Sequence, residues 1–266
     1  MRTWRGDIAM DRLRNKVALI TGASSGFGRE AALVFAREGA SVAVADIDEA
    51  GGSDTASQIA SLGGRAIFIR ADVSRPAEVK AMVEETIRSF GRLNILYNNA
   101  GVPMMATPIA DITPDQYRRI MDVNFKGVIF GCKYGAPEIA KNPDGGSIIN
   151  TASLSALKGR ANLSIYAASK GAVVALTKSL AIELAPKKVR VNSICPVAAD
   201  TPMLAQFVPV AARAQIDAMK KAAAEPIPLK RLGRATDIAS VALFLASDES
   251  EFITGVNFPV DGGYSA

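Results

Sequence analysis

Tyr166 and Lys170 have the types and spacing of a proton-transfer pair. They lie four residues apart in Y-A-A-S-K, so on a helix they share one face and their side chains meet. A free phenol titrates near ~10 and is a poor base at neutral pH. An ammonium group beside it favours the phenolate, so Lys170 is expected to lower the Tyr166 pKa and make a tunable proton donor and acceptor. Ser153 can offer a hydroxyl to a substrate oxygen from a second side. The pair alone also fits a surface tyrosine packed under a solvated lysine stem, so its surroundings must decide.

The rest of the composition narrows the chemistry. There is no histidine, which removes His-based triads and His-ligated metals, and no metal site is expected. The two cysteines, Cys132 and Cys195, are too few and too far apart for a disulfide framework or a metal cluster. They read as reduced core or pocket residues of a cytoplasmic protein. The 266 residues are 49% hydrophobic and 21% charged, with a net charge of +5, an ordinary soluble composition. There is no dense basic block and the aromatics are scattered, so no nucleic-acid partner is expected. No uninterrupted apolar run reaches the ~20 residues that span a bilayer, so no membrane partner is expected either.

The elements that position the pair follow from alternation. Val17 to Ile20 is a short apolar run, followed by T-G-A-S-S-G-F-G (Thr21 to Gly28), an alanine-rich helical pattern ending at Gly39, and a second apolar run from Ser41 to Ala45 that stops at Asp46. Strand, glycine turn, helix, strand and acid make the first unit of a dinucleotide-binding fold. The glycines let the backbone approach a pyrophosphate, and the helix N-terminus offers N–H groups and a positive dipole end to it. Asp46 lies about 20 residues beyond the turn, where an acid hydrogen-bonds the ribose hydroxyls of NAD and repels a 2′-phosphate.

Helices are expected at 48–62, 76–90, 113–140, 166–184 and 235–247, and strands at 66–70, 93–97, 189–194 and 255–260, with another leading through G-G-S-I-I-N-T-A-S to Ser153. Ser74 is placed as the cap of the helix opened by Pro76. T-P-D-Q from Thr113 reads as a capping box. Residues 200–228 read as an irregular, proline-punctuated insertion. The alternation implies an α/β single-domain Rossmann fold, a doubly wound parallel sheet with helices on both faces. Residues 1–9 are expected to be a flexible arm and 10–266 the domain.

From Lys16 onward the sequence resembles the short-chain dehydrogenase/reductase family in its single-domain form. The matching pieces are T-G-x-x-x-G-x-G at Thr21 to Gly28, Asp72-Val73, N-N-A-G at Asn98 to Gly101, Asn124 in M-D-V-N-F-K-G, Ser153, Tyr166 with Lys170, Pro196, and F-I-T-G with V-D-G-G near the end. The resemblance implies a catalytic set of Asn124, Ser153, Tyr166 and Lys170. Tyr166 would be the acid/base, and Ser153 would hold the substrate oxygen. Lys170 would lower the phenol pKa and hold the nicotinamide ribose, and Asn124 would hold a water linking Lys170 to solvent.

It also implies that Gly22, Ser24, Ser25, Gly26, Phe27 and Gly28 hold the pyrophosphate, and that Asp46 and Ile47 meet the adenosine ribose. Asp72 and Val73 would meet the adenine. Asn98, Ala100 and Gly101 would line the adjacent ribose region, and Pro196, Ala199 and Thr201 the nicotinamide. Pro196 is followed by Val197 where the family commonly has Gly, which leaves Thr201 suited to the carboxamide. Ser25 and Ile47 stand where NADP-preferring relatives carry a cation, and Arg29 reads as an exposed helix residue. The cofactor is therefore read as NAD(H), with NADP disfavoured.

The expected substrate is a small apolar ketone or secondary alcohol, lined by Leu154, Leu157, Pro103, Met104, Met105, Met203, Leu204 and Phe207, with 200–228 as a mobile lid. Lys158 and Arg160 could touch an anionic substrate tail, but read first as solvated surface residues. Self-association into a homotetramer is implied by the resemblance. The alternatives are an NADPH-dependent 3-oxoacyl carrier-protein reductase and a non-enzymatic dinucleotide-binding regulator.

Overall fold

The structure, a computed structural model, describes residues 11–207 and 215–266; the expected arm at 1–9 and the middle of the expected lid lie outside the described residues. Seven strands form one parallel sheet: β1 (Val17–Thr21), β2 (Ser41–Asp46), β3 (Arg65–Arg70), β4 (Ile95–Asn98), β5 (Gly146–Thr151), β6 (Val189–Pro196) and β7 (Asn257–Val260). Their spatial order is β3-β2-β1-β4-β5-β6-β7. The chain builds outward from β1 to β3, then returns to the other side of β1 to lay down β4. The crevice beyond the carboxyl ends of β1 and β4 is thus the topological switch point, where open α/β sheets bind ligands. Thr21 pairs with Ala45, Asn98 with Asn150 and Thr151 with Ile194. The strands therefore end together, and the segments that follow them gather at one edge.

The connecting helices are α1 (Gly26–Arg37), α2 (Glu49–Ser61), α3 (Pro76–Phe90), α4 (Pro114–Met121), α5 (Gly127–Ile139), α6 (Ser164–Leu184), α7 (Ile216–Ala224) and α8 (Ala235–Ala246). Every residue of β1 is buried, as a parallel strand covered on both faces requires. Successive side chains point to opposite faces, so one sequence feeds two cores. Leu19, Leu96, Ile148 and Val191 pack with Met82, Val83, Ile139 and Val173 on one side. Ile20, Val44, Ile95 and Ile149 pack with Ala31, Phe35, Ala242 and Leu245 on the other. Small alanines let α1 and α8 lie close on that second face. Each fully buried Leu, Ile or Phe contributes about 1.5–3 kcal/mol of transfer free energy.

Four expectations change. Ser74 does not cap α3; the N-cap position is Arg75, and the Ser74 hydroxyl donates instead to Asp72 Oδ1 at 2.7 Å. The single helix expected over 113–140 keeps its Thr113–Gln116 capping box but is interrupted by a π-helical turn over Asp122–Lys126. The insertion at 200–228 is not wholly irregular, because its alanine- and lysine-rich part forms α7. Finally, although no uninterrupted apolar run is long enough, the helix over Ser164–Lys187 is by length and composition sufficient to cross a bilayer. In this fold its Tyr166, Lys170, Val173, Thr177 and Ala181 are buried, and the helix packs against β5 and β6.

Candidate active site

At the switch point the turn after β1 and the turn after β4 touch. Gly22 has φ +65°, and a Cβ there would sit 2.7 Å from Ala100 Cα, so no other residue fits without moving one of the turns. A Cβ on Gly28 would lie 2.2 Å from the Gly22 carbonyl oxygen, which lets α1 start directly beneath the turn. Ser25 occupies the N-cap position of α1, yet its side chain accepts no bond from the helix. The first-turn N–H groups consequently have no side-chain acceptor there. Gly26 lines the cavity, and a Cβ on it would meet nothing nearer than 3.7 Å.

Asp46 ends β2 beside this turn. One carboxylate oxygen accepts the Ser24 N–H at 2.9 Å and the other accepts the Asp48 N–H at 2.9 Å. A carboxylate has about four lone-pair sites, so two remain for hydroxyl donors, and the two backbone bonds fix where they point. Arg29 is held by Asp54 and reaches the Ser24 carbonyl oxygen at 3.5 Å. Asp72, further along the wall, has its carboxyl held below the usual range. Burial pushes it up, but the Ser74 hydrogen bonds and the nearby Arg75 and Arg70 charges outweigh that.

These residues border a cavity of about 1220 Å³ that continues to Tyr166. It exceeds the ~300–1,000 Å³ typical of a small-ligand site, which is room for a dinucleotide and a small substrate together. The glycine turn, the uncapped helix start and the pre-oriented Asp46 fit a nicotinamide dinucleotide.

The proton-transfer groups sit at the far wall. Ser153 follows β5, and its Oγ accepts the Ser155 N–H at 3.1 Å. Tyr166 and Lys170 project from the first turns of α6. Tyr166 and Ser153 both face the cavity. Lys170 Nζ donates to the Thr151 carbonyl at 2.7 Å. Burial pushes the Tyr166 phenol above its ordinary value, with the neighbouring Ser153 hydroxyl pulling the other way. Burial also brings Lys170 down to about 8, opposed by the nearby Cys195 thiol. The lowering of the phenol expected from Lys170 is therefore not what the structure shows. Removing both groups from water disfavours each charged form, and the ammonium is bonded to a main-chain carbonyl. Phe207 stands edge-on to the Tyr166 ring, centroids 5.5 Å apart.

Gly22, Ser24, Ser25, Gly26, Phe27, Asp46, Ile47, Asp72, Val73, Ala100, Gly101, Pro196, Ala199 and Thr201 all border the cavity, together with Ser153, Tyr166 and Lys170. Of the expected substrate lining, Leu154, Met203, Leu204 and Phe207 border the cavity, whereas Pro103, Met104, Met105 and Leu157 do not. Three of the expected catalytic and cofactor residues also lie elsewhere. Gly28 is the packing residue just described. The Asn98 side chain turns into the core, donating to Asn150 Oδ1 at 2.9 Å. Asn124, fully buried in the π turn, accepts the Val102 N–H at 2.7 Å and donates to the Val102 carbonyl at 3.0 Å. It clamps the segment after β4 where Gly101 lies beside Lys170.

Sequence reasoning missed Asn99, which lines the cavity and donates to the Thr21 and Gly22 carbonyls at 3.0 and 3.1 Å. It also missed Tyr264. Lys158 and Arg160, read as solvated, are exposed yet lie on the cavity wall. Cys132 is buried, and burial pushes its thiol up to about 12, against a hydrogen bond from Asn98.

A family model described as enoyl-(acyl carrier protein) reductase matches residues 22–265. The chain belongs to the short-chain dehydrogenase/reductase family. It is an oxidoreductase of that family, which sets aside the regulator alternative. A cyclohexanol dehydrogenase from Acinetobacter sp. (strain SE19) is 38% identical over 259 residues, covering 97% of this chain and 98% of the relative. A meso-2,3-butanediol dehydrogenase from Serratia marcescens is 39% identical over 255 residues, covering 96% of each chain. Among solved structures, a 3-ketoacyl-(acyl-carrier-protein) reductase from Brucella melitensis complexed with NADH superposes with a TM-score of 0.88 at 41% identity, covering 96% of this chain and 100% of that one.

Proposed function

We propose that this oxidoreductase interconverts a secondary alcohol and a ketone, uses NAD(H), and employs Tyr166 as its acid/base. The observation that carries the reading is the convergence of Ser153, Tyr166 and the buried Lys170, one helical turn on, on the wall of the cavity that begins at the glycine turn. In ketone reduction Tyr166 donates its phenolic proton to the substrate oxygen; in alcohol oxidation it accepts the hydroxyl proton. Ser153 Oγ holds that same oxygen and the charge developing on it. Lys170 braces the Thr151 carbonyl and reaches the ribose side of the site, and Asn124 keeps the segment beside it in place. Hydride transfer is the chemistry that a bound nicotinamide supplies. The two alcohol dehydrogenases among the relatives support the substrate class.

The choice of NAD(H) is supported by Asp46, whose two carboxylate oxygens are aimed by backbone N–H groups, and by Arg29, which is committed to Asp54. A 2′-phosphate near Asp46 would face a like charge without a free arginine from the turn. Tyr166→Phe should abolish turnover while leaving NADH binding, followed by cofactor fluorescence, within about twofold of the native protein. Substantial residual turnover in that variant would sink the assigned role.

The 3-oxoacyl carrier-protein reductase remains a second reading, because the Brucella reductase is described as an NADH complex. A preference for NADH thus does not separate the two. Turnover of an acetoacetyl thioester against cyclohexanone, with NADH in both assays, does. Assembly as a homotetramer through the outer faces of α5 and α6 belongs to the same proposal, supported by Ile182, which is 80% exposed on α6. A single-chain mass by light scattering would count against it.

A further inference from the structure

The substrate end of the cavity is not uniformly apolar. Leu154, Leu163, Met203, Leu204 and Phe207 supply apolar walls, but Lys158 and Arg160 lie on the same lining. Both belong to the short connection between Ser153 and Tyr166, so the fold fixes them within a few residues of both groups that would hold the reacting oxygen.

Of the other cations on this lining, Lys220 is neutralised by Asp200 at 2.7 Å, and Arg119 belongs to α4, outside the connection between Ser153 and Tyr166. Lys158 and Arg160 have no carboxylate partner among the described residues. Lys158 is nevertheless held. Its Nζ lies 4.5 Å from the centroid of the Tyr264 ring and 3.5 Å from the Tyr264 carbonyl oxygen. A cation over an aromatic face keeps its full charge while its stem loses freedom. The carboxyl-terminal segment that brings Tyr264 there is itself fixed. Asp261 accepts the N–H groups of Gly263 and Ser265, each at 2.9 Å, and Gly262 accepts the Leu229 N–H at 3.2 Å.

Apolar walls with two cations that lack carboxylate partners on the connection between Ser153 and Tyr166, one of them pre-positioned, suit an amphipathic ligand with a negative end. We propose that the substrate is a ketone or secondary alcohol bearing an anionic group, a carboxylate or sulfonate, which Lys158 and Arg160 bind while the reacting carbon lies against Ser153 and Tyr166. Tyr264 acts as a positioning residue for Lys158. The inference rests on the alcohol–ketone reading of this cavity and refines its substrate class.

The test compares matched alcohols, cyclohexanol and 4-hydroxycyclohexanecarboxylate, by NADH formation at low ionic strength. Charge-assisted contacts of this kind are worth roughly tenfold or more in kcat/KM, so the native protein should favour the carboxylate by about that factor. The preference should shrink as salt is added. In Lys158→Gln/Arg160→Gln the ratio of the two kcat/KM values should fall close to one. Tyr264→Phe keeps the ring and should keep the preference, whereas Tyr264→Ala should lose part of it through KM. No preference in the native protein, or an undiminished one in the double variant, overturns the proposal.

If neither alcohol turns over, the alcohol–ketone reading is what fails. The anion site is then judged by calorimetric titration of 4-oxocyclohexanecarboxylate into the NADH-loaded protein. Binding weakened about tenfold in the double variant supports the site. Equal binding in the two proteins, or none in the native one, overturns it.

Discussion

Lys170 gives a pH signature that can be read without any substrate. Burial holds its ammonium at about 8 against an ordinary value of 10.5, a gap of about 3 kcal/mol at 1.36 kcal/mol per pH unit. Below pH 8 the lysine is charged in both the folded and unfolded chains, and the full burial cost is present. Between about 8 and 10.5 the unfolded chain binds more protons than the folded one, so stability rises with pH. Above that window the group is neutral in both states and the cost is gone.

Lys170→Met removes the titration. It also leaves the Thr151 carbonyl without the donor now 2.7 Å away, a loss of about 1–3 kcal/mol that does not depend on pH. Urea unfolding of the cofactor-free proteins, followed by circular dichroism from pH 7 to pH 10.5, should therefore show the stability difference changing in favour of the native protein by about 3 kcal/mol across the window. Tyr166 is present in both proteins, so its own titration largely drops out of the difference. A difference that stays flat from pH 7 to 10.5 would refute the reasoning.

Two further substitutions probe the nucleotide end. Asp46→Ala should relax discrimination between NADH and NADPH by tenfold or more in binding titrations, because it removes both the hydroxyl acceptor and the like charge; an unchanged ratio would place the ribose contact elsewhere. Gly22→Ala puts a methyl 2.7 Å from Ala100 Cα at φ +65°, where the backbone conformation alone costs about 1–2 kcal/mol. It should lower the melting temperature and weaken NADH binding together, and a variant that melts and binds like the native protein would contradict that geometry.

Much of this architecture was legible because parallel strands buried on both faces leave continuous apolar runs between glycine-punctuated helices. Those runs located β1 to β7 to within a few residues and put Tyr166 and Lys170 on one helix face. What escaped was information that depends on face or on distant neighbours. Asn98 and Asn99 are adjacent at the end of β4, and alternation sends one into the core and the other to the cavity; only the twist and pairing of the sheet decide which. Ser74 and Arg75 both precede Pro76, and the competing acceptor on Asp72 settled the serine's partner. The π turn at Asp122–Lys126 carries no sequence signal at all. The alanine- and lysine-rich stretch of α7 did carry one, in its helix propensity. The pKa shift of Tyr166 and the placement of Tyr264 against Lys158 depend on burial and on long-range packing, which residue spacing does not contain.

The strand order has a consequence during synthesis. β1 is buried on both faces and paired on both edges in the finished sheet, but its two neighbours leave the ribosome at different times. β2 follows almost at once, whereas β4 begins roughly seventy residues after β1 ends. At about 5–20 residues per second, an apolar central strand keeps one hydrogen-bonding edge open for several seconds or more. An open edge of that kind is a template for pairing with another chain. The interval before β4 arrives is when the nascent protein most needs shielding, by a chaperone or by slow accumulation of other unfinished copies.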